Sequence, residues 1–124
     1  MHIATAEDAA KLLAPYFDEA DVERVVALHL TAERQLVGLT FEATGGEEDV
    51  ELPVRAIAAS ALRLGAACVV VAHNHPSGSP EPSELDLAAT RRLAETLTPL
   101  GVRLVDHLIF AGGETRSFRA MGLL

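Results

Sequence analysis

Ala72-His73-Asn74-His75-Pro76-Ser77-Gly78-Ser79-Pro80-Glu81-Pro82-Ser83-Glu84, closed by Asp86, is the stretch on which the reading of this chain turns. It follows an unbroken apolar run, Ala66 to Ala72, which reads as a buried strand. Two histidines at i and i+2 leave the exposed end of that strand. A strand's period of two points both imidazoles the same way. A Pro/Gly/Ser turn comes next, and then an acid that can swing back toward them. Two neutral imidazoles and one carboxylate, with a fourth position left for water, make the donor set of a catalytic zinc site. Zinc lowers the pKa of water to about 7, and such chemistry needs a nearby general base, usually a glutamate. The same residues also carry a structural reading. Ser83-x-x-Asp86 is an ordinary capping pair at a helix start, and an isolated His-x-His is a weak signal. What favours a site is the convergence of these features in one short stretch.

Working outward, the chain alternates strand and helix patterns. Thr5 and Asp8 resemble an N-terminal capping box, and Ala9, Leu12, Leu13, Tyr16 and Phe17 share one helical face. Pro15 is expected to end or bend that helix. Arg24 to Leu30 and Gln35 to Glu42 read as a hairpin about a turn at Thr31–Arg34. Gly45 to Asp49 reads as a loop and Val50 to Leu52 as a short strand. A helix from Pro53 to Leu64 follows, with Gly65 placed as its C′ residue. Beyond the motif, a helix runs from about Glu84 to Leu97, with Leu85, Ala88, Ala89, Leu93 and Leu97 on one face. Val102 to Phe110 reads as a strand interrupted by Asp106-His107, and a last short strand lies near Thr115 to Phe118. The pattern predicts an α/β fold, a central mixed sheet flanked by helices, in one domain over residues 1–124.

Composition narrows the function classes. The chain has 124 residues, 49% hydrophobic and 23% charged, an ordinary globular balance. A net charge of −8 argues against a phosphate-backbone binder, so no nucleic-acid partner is expected. No apolar stretch is long enough to span a bilayer, and the acidic start lacks the basic region of a secretory signal. Cys68 is the single cysteine, so no internal disulfide can form. It reads as a buried, inert thiol, and a cytoplasmic location is the expectation.

His73-Asn74-His75, seven residues, then Ser83-Glu84-Leu85-Asp86 matches His-x-His-x7-Ser-x2-Asp, the JAMM motif of the JAB1/MPN+ metallopeptidases. The fuller string His73-Asn74-His75-Pro76-Ser77-Gly78 with Pro82-Ser83 resembles the bacterial RadC-like branch. The likeness continues in Thr90, in Leu104-Val105-Asp106-His107 and in Gly122-Leu123-Leu124. The resemblance implies an MPN (cytidine-deaminase-like) fold and zinc held by His73, His75 and Asp86. It implies an oxyanion role for Ser83 and a general base supplied by a glutamate from an upstream strand. Longer members carry a helix-hairpin-helix region ahead of this domain, and the expectation here is a short form without it.

Counting back from His73 without gaps puts Thr40 near the position of the base, and a slip of two residues puts Glu42 there. Glu42 is therefore the leading candidate, Glu47 and Glu48 are weaker ones, and a site with no base stays open. His107 reads either as half of a structural polar pair with Asp106 or as a residue that orients a ligand. The expected function is a zinc-dependent metallohydrolase that cleaves a peptide or isopeptide bond of a peptide or protein substrate. Two alternatives stand beside it, a non-catalytic module on the MPN scaffold and a DNA-repair-associated RadC-like protein. Substrate identity and oligomeric state are not legible in the residues.

Overall fold

The computed structural model describes residues 1–18, 20–44 and 52–124. Its elements in chain order are α1 (Ala6–Phe17), β1 (Arg24–Leu30), β2 (Leu36–Thr44), α2 (Val54–Arg63), β3 (Cys68–Asn74), α3 (Glu84–Leu97), β4 (Arg103–Ala111) and β5 (Glu114–Ser117), with a 3-10 turn at Thr98–Leu100. The five strands form one sheet in the order β2-β1-β3-β4-β5. Only β3 and β4 run parallel, joined by the α3 crossover; the other neighbours are antiparallel. The α/β architecture with a mixed, helix-flanked sheet is the one the alternating pattern implies.

The two faces of the sheet explain the patterning. Val25, Ala27, Val69 and Val71 pack against Ile57, Ala58 and Ala61 of α2 and against Ala89, Leu93 and Leu97 of α3. Val26, Leu28, Leu30 and Val70 pack against Ala9, Leu13 and Phe17 of α1. β3 is covered on both sides and buried at every position, which is why its sequence is a continuous apolar run rather than an alternating one. Each fully buried leucine or isoleucine of these layers contributes roughly 1.5–3 kcal/mol.

Several expectations change in detail. α1 runs through Pro15 to Phe17. The proline removes one helical donor, but Leu13 and Phe17 on either side of it are both buried, and that packing carries the helix one half-turn further. β3 extends to Asn74, so His73 is a strand residue at 3% exposure and not part of an exposed end. Asp106 and His107 do not interrupt β4; both are buried within it. Leu85 is 68% exposed, and Asp86 and Thr90 take the buried face of α3 instead. At about 100° per residue, Asp86, Ala89, Thr90, Leu93 and Leu97 share one arc of α3, and Leu85 falls outside it. Val50, proposed with Leu52 as a short strand, and the Gly45–Asp49 loop lie outside the described residues, and Leu52 itself is not in a strand. No helix among the described residues is long and apolar enough to cross a membrane.

Topology then brings three chain segments to one place. Antiparallel pairing sets Val25 opposite His73, so the start of β1 meets the end of β3. The motif loop returns the chain to the start of α3, which packs on the same face.

Candidate metal centre

His73, next to last in β3, lies on the face that packs against α3, and His75 follows one residue beyond the strand. Their Nε2 atoms converge to 2.9 Å. Asp86, in the first turn of α3, meets both: Oδ1 lies 3.3 Å from His73 Nε2 and Oδ2 lies 3.0 Å from His75 Nε2. The motif loop is held in shape by backbone contacts. His75 N–H donates to the Phe110 carbonyl and Gly78 N–H to the His75 carbonyl, both at 3.0 Å. Gly112 backs the loop so closely that a Cβ there would stand 2.9 Å from the Gly78 carbonyl oxygen.

The donor set calls for a positive charge. His75 Nδ1 lies 2.8 Å from the Ser79 carbonyl oxygen. A carbonyl can only accept, which assigns the proton to Nδ1 and leaves Nε2 with its lone pair aimed at His73 and Asp86. Two imidazole nitrogens and a carboxylate so arranged are held together by a cation, whether proton or metal. The titration of the groups expresses this. The Asp86 hydrogen bond pushes the His75 imidazole up to about 9 against the opposing effect of burial. Burial alone would raise the Asp86 carboxyl, but hydrogen bonds to His73 and His75, the charge of His73 and the Ser83 backbone hydrogen bond outweigh it and hold the group well below the usual carboxylate range. A tetrahedral metal with nitrogens at about 2.0–2.1 Å spaces them near 3.3 Å, a few tenths of an ångström from what is present.

Glu23 is the residue the sequence reading missed. It is 2% exposed, immediately precedes β1, and places Oε1 4.0 Å from His73 Nε2. Ligand atoms of Glu23, His73 and His75 all lie within 4.8 Å of one another, so these three residues form a group that could hold a metal ion. Asp86 approaches both histidines more closely than Glu23 approaches His73. Asn74, between the two histidines, brackets Glu23: its Oδ1 accepts from Arg24 N–H at 2.7 Å and its Nδ2 donates to the Val22 carbonyl at 3.0 Å. The middle residue of the His-x-His motif thus fixes the backbone on either side of the buried acid. The available signal was an acidic residue just ahead of a strand rich in valine and leucine. Using it required knowing that β1 pairs with β3.

Glu42 does not join this group. It lies on β2, one strand further out than β1, and its carboxylate accepts from Ser60 Oγ of α2 at 2.8 Å. A bulge sets Val25 opposite Ala43 and Val26 opposite Phe41, leaving Glu42 as the extra residue. Two strand spacings of about 4.8 Å separate β2 from β3, which counting along the chain cannot reveal. Glu47 and Glu48 lie outside the described residues. Ser83 realises the capping pair in full: Oγ accepts from Asp86 N–H at 3.0 Å and Asp86 Oδ2 accepts from Ser83 N–H at 2.9 Å. Accepting that bond leaves the Ser83 hydroxyl proton for another partner.

Behind His73 lies a further polar chain. His73 Nδ1 and His107 Nε2 are 2.7 Å apart, His107 Nδ1 and Thr90 Oγ1 are 2.6 Å apart, and Thr90 Oγ1 donates to the Asp86 carbonyl at 2.6 Å. His107 is fully buried and stacks on Phe118 at 4.4 Å, and burial pushes its imidazole well below the ordinary value. Asp106 does separate work, accepting from His107 N–H, Ser117 Oγ and Arg119 N–H to tie β4 to the end of β5 and the segment after it. A cleft of about 340 Å³ opens beside His75, with Phe17, Phe110 and Gly113 among its walls.

The family model of the RadC-like JAB domain matches residues 3–123. A UPF0758 protein of Neisseria meningitidis serogroup C is 36% identical over 98% of this chain and 54% of its own length. A UPF0758 protein of Salinibacter ruber is 33% identical over 100% of this chain and 53% of its own length, and one of Bordetella avium is 38% identical over 83% and 46%. The chain thus spans about half the length of the curated relatives it matches. With the match running through both histidines, the capped acid and the strands that carry them, the chain belongs to the RadC-like JAB domain family.

Proposed function

We propose that the chain is a zinc-dependent hydrolase of peptide or isopeptide bonds, with His73, His75 and Asp86 holding the metal and Glu23 acting as general base. The observation that carries the reading is the convergence of two imidazole Nε2 atoms on a capped carboxylate, with a second buried carboxylate beside them. Two histidines and one carboxylate leave a position open, as catalytic zinc sites do and closed structural sites do not. Zinc, when bound there, supplies a Lewis acid that makes water nucleophilic near neutral pH.

The remaining work belongs to side chains. Glu23 takes the proton from the attacking water and returns it to the departing amine nitrogen. Its backbone is bracketed by Asn74, so the carboxylate stays aimed at the site while its charge changes. The Ser83 hydroxyl donates to the carbonyl oxygen as negative charge develops on it. The substrate is a peptide or protein, and the cleft beside His75 is where its chain would lie. Neither a nucleic acid nor a membrane enters the scheme.

The test is a pair of variants on a panel of peptide and isopeptide substrates. Glu23→Gln is expected to keep zinc and lose turnover by at least about 10²-fold. Glu42→Gln is expected to keep both. Full turnover in Glu23→Gln would remove Glu23 from the mechanism. A zinc-loaded wild type that cleaves nothing on the panel would favour the binding-module reading.

A further inference from the structure

We propose that Thr90 and His107 are positioning residues that lock His73 in the one neutral tautomer able to present Nε2 to a metal. The argument starts from a single hydroxyl proton. Thr90 Oγ1 lies 2.6 Å from the Asp86 backbone carbonyl, which can only accept, so the hydroxyl proton is committed there. Towards His107 Nδ1, also 2.6 Å away, Thr90 can then only accept. His107 Nδ1 therefore carries the proton and His107 Nε2 the lone pair. His107 Nε2 lies 2.7 Å from His73 Nδ1, which must donate to it. His73 is left with a protonated Nδ1 and a bare Nε2, facing His75 and Asp86.

The opposite arrangement fails at its far end. A proton on His107 Nε2 would push the His73 proton onto Nε2, into the space between His75 and Asp86. It would also leave His107 Nδ1 and Thr90 Oγ1 as two facing acceptors in a site with no exposure for His107. Stacking on Phe118 fixes the ring plane, 15° from parallel, so the imidazole is not free to turn to another partner. The chain also joins two parts of the site. Thr90 stands one helical turn after Asp86, so the α3 backbone that carries the acid is tied to the β3 histidine through β4. Partners of this kind typically change metal affinity 10–100-fold when removed.

The proposal rests on the reading of His73 as a metal ligand, and the experiment separates the two. Zinc affinity is measured by chelator competition on wild type, Thr90→Val, Thr90→Ser and His75→Ala. Histidine tautomers of the zinc-loaded wild type are read from long-range ¹H–¹⁵N NMR spectra. Thr90→Val keeps the side-chain shape and removes the hydroxyl, and it is expected to weaken zinc about 10-fold or more. Thr90→Ser is expected to restore wild-type affinity. The wild-type spectrum is expected to show protonated Nδ1 on both His73 and His107. Thr90→Val with wild-type affinity would overturn the proposal, as would His107 protonated on Nε2, a readout that needs no variant to fold. If His75→Ala abolishes zinc binding while Thr90→Val does not, the ligand set stands and the lock alone is wrong. If the wild type binds no zinc, the parent reading is what fails.

Discussion

Replacing Asn74 with alanine removes the bracket around Glu23. The carboxamide makes two hydrogen bonds, 2.7 Å from Arg24 N–H and 3.0 Å to the Val22 carbonyl, and the residue is 4% exposed. A net hydrogen bond is worth about 0.5–1.5 kcal/mol, so the pair is worth about 1–3 kcal/mol, and more if its backbone partners stay dry and unmatched. For a domain of this size 1 kcal/mol moves Tm by about 4 °C, which predicts a fall of about 4–12 °C in a thermal melt. The structure also predicts which property goes first. Asn74 touches neither imidazole tip nor Asp86 among the bonds described, so zinc stoichiometry is expected to hold. Turnover is expected to drop, because the start of β1 is no longer pinned and the Glu23 carboxylate can wander by an ångström, a displacement that costs up to about 10²-fold. A variant with wild-type Tm and wild-type turnover would refute the idea that this side chain holds the acid in place.

Other predictions follow from the same geometry. Gly112 has φ +56° and no room for a Cβ, which would stand 2.9 Å from the Gly78 carbonyl oxygen. Gly112→Ala should therefore destabilise by about 1 kcal/mol or more, read as a shift in urea midpoint; an unchanged midpoint would show the motif loop is not clamped there. The pH dependence of the metal-free protein has a definite sign. His75 is raised from 6.5 to about 9 in the folded state, so its contribution is fully present below about pH 6.5 and lost as pH rises through about 9. Asp86 is lowered from 3.8, so its contribution is lost as pH falls below that value. Chelator-treated protein should thus show a falling Tm between pH 6.5 and 9, and a flat profile there would contradict the ion-pair assignment.

Much of this was legible in the residues because it is local. The His-x-His spacing, the Ser83/Asp86 capping pair and the apolar strand ahead of them depend only on neighbours in the chain, and His73, His75 and Asp86 do meet in space. Glu23 was not legible because its place depends on which strands pair. β1 lies between β2 and β3, and the antiparallel register that sets Val25 against His73 carries residue 23 to the site. Glu42 looked plausible at a strand end, yet a bulge and one intervening strand direct it to Ser60. Leu85 and Asp86 show a related limit. An apolar count assigns Leu85 to the core, but Leu85 lies about 100° round the helix from Asp86 and outside the arc that Asp86 shares with Ala89, Thr90, Leu93 and Leu97. His107 was ambiguous for the opposite reason, since a polar pair inside a strand is ordinary until its partners are known.

The most direct test of the central claim is zinc content per chain by mass spectrometry, on wild type and His75→Ala purified together and supplied with zinc. The account predicts close to one zinc per wild-type chain and little in the variant, with both proteins folded. A folded wild type that takes up no zinc, or a variant that holds as much as the wild type, would contradict it.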